Sequence, residues 1–312
     1  MMRSRFRWER WKKFVISGVS VTMISIASAF AMLVSMCGER EAVLQIWQHS
    51  TPFLMAAKIL RPERYSLKFM TLNIAHGRRD TPTQILQTEE TVKENLDEIS
   101  GVLRREGADM VALQEADGPS FWSGQVNHVG YLAENAGYPF SVRGEHVKGI
   151  NLSYGTALLS MLPLKEPLSI TFDPSPPTLS KGFVLATIPW PGDSNVDLDI
   201  VSVHLDFSRK SVRQKQVQDM INKLSPRNNP MIIMGDFNCE WTNKGSALRT
   251  LAEELNLKGY QPHNEDMNTY PLLKKRLDWI LISPELEFVA YKVLADTLSD
   301  HLGVICEVRK KG

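Results

Sequence analysis

The sequence is poor in cysteine. Its 312 residues hold three, Cys37, Cys239 and Cys306, far apart, with no Cys-x-x-Cys pair and no cysteine–histidine cluster. That excludes a disulfide scaffold and a structural zinc site. A large excess of charge of either sign is also missing, with 36 basic side chains against 35 acidic ones. No internal repeat and no long linker divides residues 67–312. Hydrophobic residues make up 43% and charged residues 23%, so the chain is neither disordered, collagen-like nor a polytopic membrane protein. The charge is unevenly spread. Residues 1–13 hold Arg3, Arg5, Arg7, Arg10, Lys12 and Lys13 against Glu9 alone, which leaves the remainder mildly acidic. That body lacks the positive surplus with which proteins bind nucleic acid non-specifically.

Charge vanishes altogether between Lys13 and Glu39. Phe14 to Gly38 is a run of 25 uncharged residues. As a helix rising about 1.5 Å per residue, it exceeds the roughly 30 Å hydrocarbon core of a bilayer. The basic segment 1–13 is expected to stay in the cytoplasm and the rest of the chain to lie beyond the membrane, on the periplasmic side in a bacterium. Three forms of this helix stay open. It is an uncleaved signal anchor by its length. It is a cleaved signal peptide by the small-x-small sites Ala27-Ser28-Ala29 and Ala29-Phe30-Ala31. It is a lipoprotein signal by Val34-Ser35-Met36-Cys37, in which Met36 is large for that position. The domain is then anchored to a membrane or secreted. Residues 39–66 read as a connector. Thr51-Pro52 starts a helix with Phe53, Leu54, Ala57 and Leu60 roughly on one face, and Pro62 ends it. With few basic residues for lipid headgroups, it reads as a packed spacer rather than a helix lying on the bilayer.

From Leu67 onward strands and helices alternate. Strands are expected at Leu67–Leu72, Met110–Leu113, Gly155–Ser160, Phe183–Ile188, Leu198–Val203, Met231–Met234, Leu277–Ile282, Phe288–Leu294 and Val304–Val308. Helices fit Thr88–Glu106, stopped by Gly107, then Val212–Leu224 and Ser246–Leu255. Pro174, Pro176 and Pro177 mark a loop. Many strands with few helices predict one α/β (α+β) domain, residues 67–312, of packed sheets clad by helices.

Polar residues gather where apolar strands stop. Asn73 follows Leu72, and Gln114-Glu115 follow Leu113. His204-Leu205-Asp206 follow Val203, Gly235-Asp236-Phe237-Asn238 follow Met234, and Ser299-Asp300-His301 precede the last strand. Singly, each has a structural explanation: Asn73, Asp236 and Asn238 as turn formers, Glu115 as a solvated acid, His204 and His301 as surface or core histidines. Jointly, oxygen donors beside imidazoles suit a hydrolytic site around a hard cation such as Mg²⁺ or Mn²⁺. Such an ion neutralises charge on a phosphoryl group and lowers the pKa of an attacking water.

In these segments the sequence resembles the endonuclease/exonuclease/phosphatase superfamily, metal-dependent phosphohydrolases of the deoxyribonuclease I and sphingomyelinase kind. The matching runs stand in the family's order: Thr71-Leu72-Asn73-Ile74, Leu113-Gln114-Glu115, His204-Leu205-Asp206, Gly235-Asp236-Phe237-Asn238, Arg276-Leu277-Asp278-Trp279-Ile280 and Ser299-Asp300-His301. Tyr154-Gly155-Thr156-Ala157-Leu158-Leu159-Ser160 is similar to its Gly-x-Ala strand. The resemblance covers residues 67–309 and implies a four-layer sandwich, two mixed β-sheets flanked by helices. It implies a metal on Glu115, helped by Asn73 and Asp300. Asp236 and Asn238 orient or deprotonate the water, His301 is base or phosphate contact oriented by Asp278, and the base stays open between Asp236 and His301. His204 and Asn238 hold the phosphate, with Tyr154 beside the substrate. Ala75 stands where abasic-site endonucleases carry an acid, which weakens a DNA-repair reading. The run Asn73-Ile74-Ala75-His76-Gly77 is closer to bacterial exported hydrolases and brings His76 into question as a site residue. His49, His128, His146 and His263 match no motif and read as structural or surface residues; Cys239 has no neighbouring base and is not read as a nucleophile. The expectation is a divalent-metal-dependent phosphodiesterase or phosphatase outside the cytoplasm, acting on a lipid headgroup or phosphorylated small molecule. Its partners would be the phosphoester substrate and a membrane through the N-terminal helix, with no obligatory protein partner. The alternatives are an exported nuclease and a tethered binding protein without catalysis.

Overall fold

The structure, a computed structural model, describes residues 38–40, 43–46, 66–79, 81, 87–149 and 151–312. The apolar segment 14–38, save its last residue, lies outside the described residues, as do His49 and the helix expected after Thr51. No helix among the described residues is long and apolar enough to cross a membrane.

The strands are β1 Gly38–Arg40, β2 Val43–Ile46, β3 Ser66–Asn73, β4 Met110–Asp117, β5 Phe140–Gly149, β6 Leu152–Ser160 and β7 Lys165–Thr171. They continue as β8 Gly182–Trp190, β9 Asp193–His204, β10 Met231–Asp236, β11 Lys258–Gly259, β12 Asp278–Ile282, β13 Leu286–Val293 and β14 Val304–Lys310. Four α-helices join them: α1 Glu89–Glu106, α2 His128–Ala136, α3 Lys210–Leu224 and α4 Ala247–Glu254. All nine expected strands and three expected helices are present, with ends shifted by a few residues. Helix α2 and strands β1, β2, β5, β7 and β11 were not anticipated. Residues 38–46 fall in the segment read as a connector, yet β1 pairs with β7 and β2 with β5.

Each sheet has seven strands, ordered β1-β7-β8-β9-β10-β12-β11 and β13-β14-β3-β4-β6-β5-β2. Three apolar layers hold the stack together. Met70, Leu72, Val111 and Leu113 meet Val92, Leu96, Ile99 and Leu103 of α1 and Val129 and Leu132 of α2. Phe69, Met110 and Leu158 meet Val184, Ile200, Ile232 and Ile280 between the sheets. Val201, Val203, Ile233 and Leu281 meet Val217 and Met220 of α3 and Leu248 and Leu251 of α4. Helices therefore cover both outer faces, giving the four-layer sandwich. The alternation of strand side chains divides them between layers: Ile280 and Ile282 face the other sheet, Trp279 and Leu281 the helices.

Topology sets where the site lies. Each sheet has one parallel pair, β3 with β4 and β9 with β10, joined through α1 and α3 respectively. Every other pair is antiparallel. The carboxyl ends of β3, β4, β9 and β10 thus share one end of the sandwich with the amino ends of β8, β12 and β14. In the first sheet this end is a row in register: Gly38, Thr171, Gly182, His204, Asp236 and Asp278. Gly235 allows the closest approach there. Its φ is 152°, and a Cβ would stand 2.0 Å from the Val203 carbonyl oxygen.

Candidate active site

The end of the sandwich opens into a pocket of about 400 Å³ lined by Asn73, Arg78, Glu115, His204, Asp236, Asn238, Tyr270, Leu277, Asp300 and His301, and by the exposed Phe207, Leu273 and Lys275. Seven of the residues singled out from the sequence therefore line one cavity. Asp278 stands directly behind His301, and Tyr154 is not among the pocket walls.

Asp236 occupies the centre. It ends β10, opposite His204 on one side and Asp278 on the other. Its Oδ1 accepts from the Asn238 backbone N–H at 2.9 Å. Its Oδ2 accepts from the amides of Asn73 and Asn238, each at 3.1 Å. Asn238 is further anchored by its amide donating to the Leu205 carbonyl at 3.0 Å and takes a positive φ of 50°. The Asn73 Oδ1 accepts from the Ala75 N–H, so this amide ties β3 to Asp236. His301 Nε2 lies 3.8 Å from Asp236, and His301 Nδ1 lies 2.8 Å from Asp278 Oδ2. Ser299 fixes that turn: its hydroxyl donates to the Asn73 carbonyl at 2.6 Å and accepts from the His301 N–H at 2.9 Å.

Glu115 reaches the pocket by a bulge. The register of β4 against β6 slips between Gln114 and Ala116, and Glu115 takes a φ of 52°. A bulge re-aims one side chain at the sheet's end, while Gln114 points inward and donates to Ser202 of the facing sheet at 3.1 Å. His76 stands against Glu115, with Nε2 at 3.2 Å, and its Nδ1 lies 2.8 Å from Asp117. The short turn Ala75–Gly77 makes this possible, with Ala75 and His76 both at positive φ.

Residues 70–301 match the family described as Endonuclease/Exonuclease/phosphatase. The chain belongs to that family. Similar solved structures include a family member from Beutenbergia cavernae, 22% identical with a TM-score of 0.63, covering 80% of this chain and 72% of that one. The human Nocturnin catalytic domain is 19% identical with a TM-score of 0.56, covering 86% and 98%. A Bacteroides thetaiotaomicron mannosyl-6-phosphatase is 16% identical with a TM-score of 0.56, covering 78% and 99%. At such identities the likeness shows the fold. No curated protein matches the chain in sequence.

Sequence reasoning missed two cations of this endonuclease/exonuclease/phosphatase site. Lys181 is buried just before β8, with Nζ 3.9 Å from Glu115, 3.4 Å from His204 Nδ1 and 5.6 Å above the Tyr154 ring. After a proline-rich loop a lysine reads as solvated, and nothing local marks it otherwise. Arg78 donates to Asp300 at 2.6 Å, so the carboxylate expected on the metal is paired with a guanidinium. Tyr154 is buried with its ring edge-on to His76 at 5.0 Å, behind Glu115 rather than beside a substrate. His128 and His146 are buried and His146 lies between Thr156 and Thr171, both away from the pocket lining. Asp206 does not reach the pocket either. It accepts from Thr178, Ser208 and Arg209 and pins the proline loop to the start of α3.

Electrostatics divides the ionisable groups into roles. Burial pushes Glu115 up, but His76 and Lys181 beside it hold its carboxyl well below the usual range, so it is a carboxylate. Burial opposes charge on His76, and Asp117 and Glu115 outweigh it, so its pKa is raised. Burial and then Lys181 push His204 well below its ordinary value. A neutral His204 that accepts from Lys181 at Nδ1 carries its proton on Nε2, which lies 3.5 Å from Asp236. His301 goes the other way: against burial, Asp278 and Asp236 push it up to about 10. Burial raises Asp236 above the usual carboxylate range against the pull of His301. Asp236, Asp278 and His301 have ligand atoms within 4.8 Å of one another, close enough to surround an ion. The short His301–Asp278 contact, 2.8 Å, already engages two of these three groups with each other. The oxygen donors on the other side, Glu115 with Asn73 and Asp300, are the set whose chemistry fits a hard divalent ion.

Proposed function

We propose that this chain is a divalent-metal-dependent hydrolase of phosphoester bonds, a phosphodiesterase or phosphatase, acting outside the cytoplasm on a lipid headgroup or phosphorylated small molecule. The observation that carries this reading is the placement of a buried, hydrogen-bonded Asp236 between the imidazoles of His301, at 3.8 Å, and His204, at 3.5 Å, with the Glu115 carboxylate on the same pocket. A decayed binding protein has no physical reason to keep this set together.

Each group then has a task. Glu115, with Asn73 and Asp300, would hold Mg²⁺ or Mn²⁺, which when bound neutralises charge on the phosphoryl oxygens. Asp236, raised by burial, takes a proton from the attacking water. Asn238 and Asn73 fix the orientation of that carboxylate. His301 Nε2–H and His204 Nε2–H donate to the non-bridging oxygens as their charge grows. Asp278 keeps His301 charged and turned inward.

The purified chain, assayed against phosphomonoesters, phosphodiesters and nucleic acid with Mg²⁺ or Mn²⁺, is expected to hydrolyse a small-headgroup ester. Undiminished turnover in excess EDTA would sink the metal requirement, and preferred cleavage of nucleic acid would establish the nuclease alternative. The rate should rise with pH as Asp236 loses its proton, above the usual carboxylate range, and fall as His301 loses its proton near 10. A rate still climbing beyond that pH would remove His301 from the cationic role.

The location rests on the basic residues 1–13 followed by 25 uncharged ones. A reporter that works only outside the cytoplasm, fused after residue 66, should be active. Activity from a cytoplasm-only reporter at that point would reverse the topology.

A further inference from the structure

Five large hydrophobic side chains are exposed among the described residues; Phe207 at 63% and Leu273 at 58% line the pocket, and Leu272 at 78% is the neighbour of Leu273 in the same turn. They form two lips. One follows β9 and reads Phe207-Ser208-Arg209-Lys210, all exposed. The other is the turn before β12, Pro271-Leu272-Leu273-Lys274-Lys275, also exposed throughout. Each lip thus sets an apolar tip beside two cations, in a body that is otherwise mildly acidic. Leucine or phenylalanine at a tip with lysine or arginine behind it is the composition that enters the headgroup region of an anionic bilayer.

A second observation comes from the sheet. The uncharged run ends at Gly38, where β1 begins. Gly38 pairs with Thr171, in the same register row as Gly182, His204, Asp236 and Asp278. The chain therefore enters the fold from its apolar segment at the end of the sandwich that carries the pocket. If that segment is held in a bilayer, as proposed above, the bilayer lies off this end.

We propose that the pocket mouth docks on an anionic lipid bilayer through Phe207, Leu272 and Leu273, with Arg209, Lys210, Lys274 and Lys275 on the headgroups. The inference rests on the proposed location of the N-terminal segment and not on hydrolysis, and its test reads membrane contact rather than turnover. An environment-sensitive fluorophore on Leu272→Cys, in a Cys37→Ser background, reports the lip in the full chain reconstituted in phosphatidylcholine–phosphatidylglycerol vesicles. Cys239 and Cys306 are buried and leave the new thiol accessible. Emission should move to the blue and be quenched by lipid-borne quenchers, while the same label on Glu285→Cys, beyond the far end of β12, stays in water. Lys274→Gln with Lys275→Gln should lower the docking equilibrium constant on anionic vesicles roughly thirty-fold. Equal water exposure of both labels on vesicles overturns the proposal. So does a blue shift that grows with protein concentration without lipid, which would make the lips a protein interface.

Discussion

Asp278→Asn is expected to lower kcat on the order of a hundredfold or more while leaving the fold intact, because Asp278 never reaches the phosphate and acts through His301. Its Oδ2 lies 2.8 Å from His301 Nδ1, and its side chain is fully buried at the start of β12. An asparagine of the same size still accepts a hydrogen bond there. It no longer balances the imidazolium, so the alkaline limb of the pH profile should move to lower pH with the loss of rate. A purely structural role would leave that limb where it was. Asp278→Asn combined with His301→Ala should cost little more than His301→Ala alone, since the two work as one unit. Multiplicative losses would refute the coupling. Stability gives an independent check. The pKa of His301 is raised in the folded state, to about 10, so the pairing contributes fully below the ordinary histidine value and is lost as pH rises through 10. The Tm gap between Asp278→Asn and the parent should therefore be largest near neutral pH or below and close above pH 10.

Much of this arrangement was legible because β-strands stop abruptly. Strands buried on both faces read as apolar runs, and the first polar residues after each mark the end of the sandwich. That is how Asn73, Glu115, His204 and Asp236 were found. Their meeting in one pocket follows from two parallel pairs ending at the same level, which no local pattern states. What escaped depends on contacts between distant segments. Lys181 reads as a loop lysine until β8 pairs with β9 and sets it beside His204. Arg78 reads as a turn residue until the turn before β14 offers Asp300. Tyr154 precedes a motif glycine and was taken toward the substrate, yet β6 pairs with β4 at Asp117 and carries its ring behind His76. Strand β5 escaped for another reason. Phe140 and Val142 are its only large apolar residues before a bulge between Glu145 and Val147 breaks the phase, and its place is fixed by β6 and β2 alongside it.

Glu115→Gln should weaken binding of Mg²⁺ or Mn²⁺ at least about tenfold and lower the rate by a similar factor or more, through loss of an anionic oxygen ligand that its cationic neighbours keep ionised. Direct titration of the ion by calorimetry, without substrate, separates binding from chemistry. The residue's backbone supports the assignment. A positive φ at a non-glycine bulge is a cost that the fold bears only where its neighbours fix it, and here it turns the carboxylate from the helix layer into the pocket. His76 and Lys181 face that carboxylate in the absence of an ion. In the glutamine variant both lose that attraction, His76 keeping Asp117, so a modest loss of Tm is expected as well. Asp300→Asn discriminates the rest of the ligand set. Its Oδ2 is paired with Arg78, so it would serve the ion through Oδ1 or by leaving the guanidinium. A fall in ion affinity in that variant places Asp300 on the metal. Unchanged affinity leaves it as the anchor of Arg78, with Glu115 and Asn73 as the protein's oxygen donors. Unchanged affinity in Glu115→Gln itself would put the ion elsewhere and reopen the Asp236–Asp278–His301 cluster as its site.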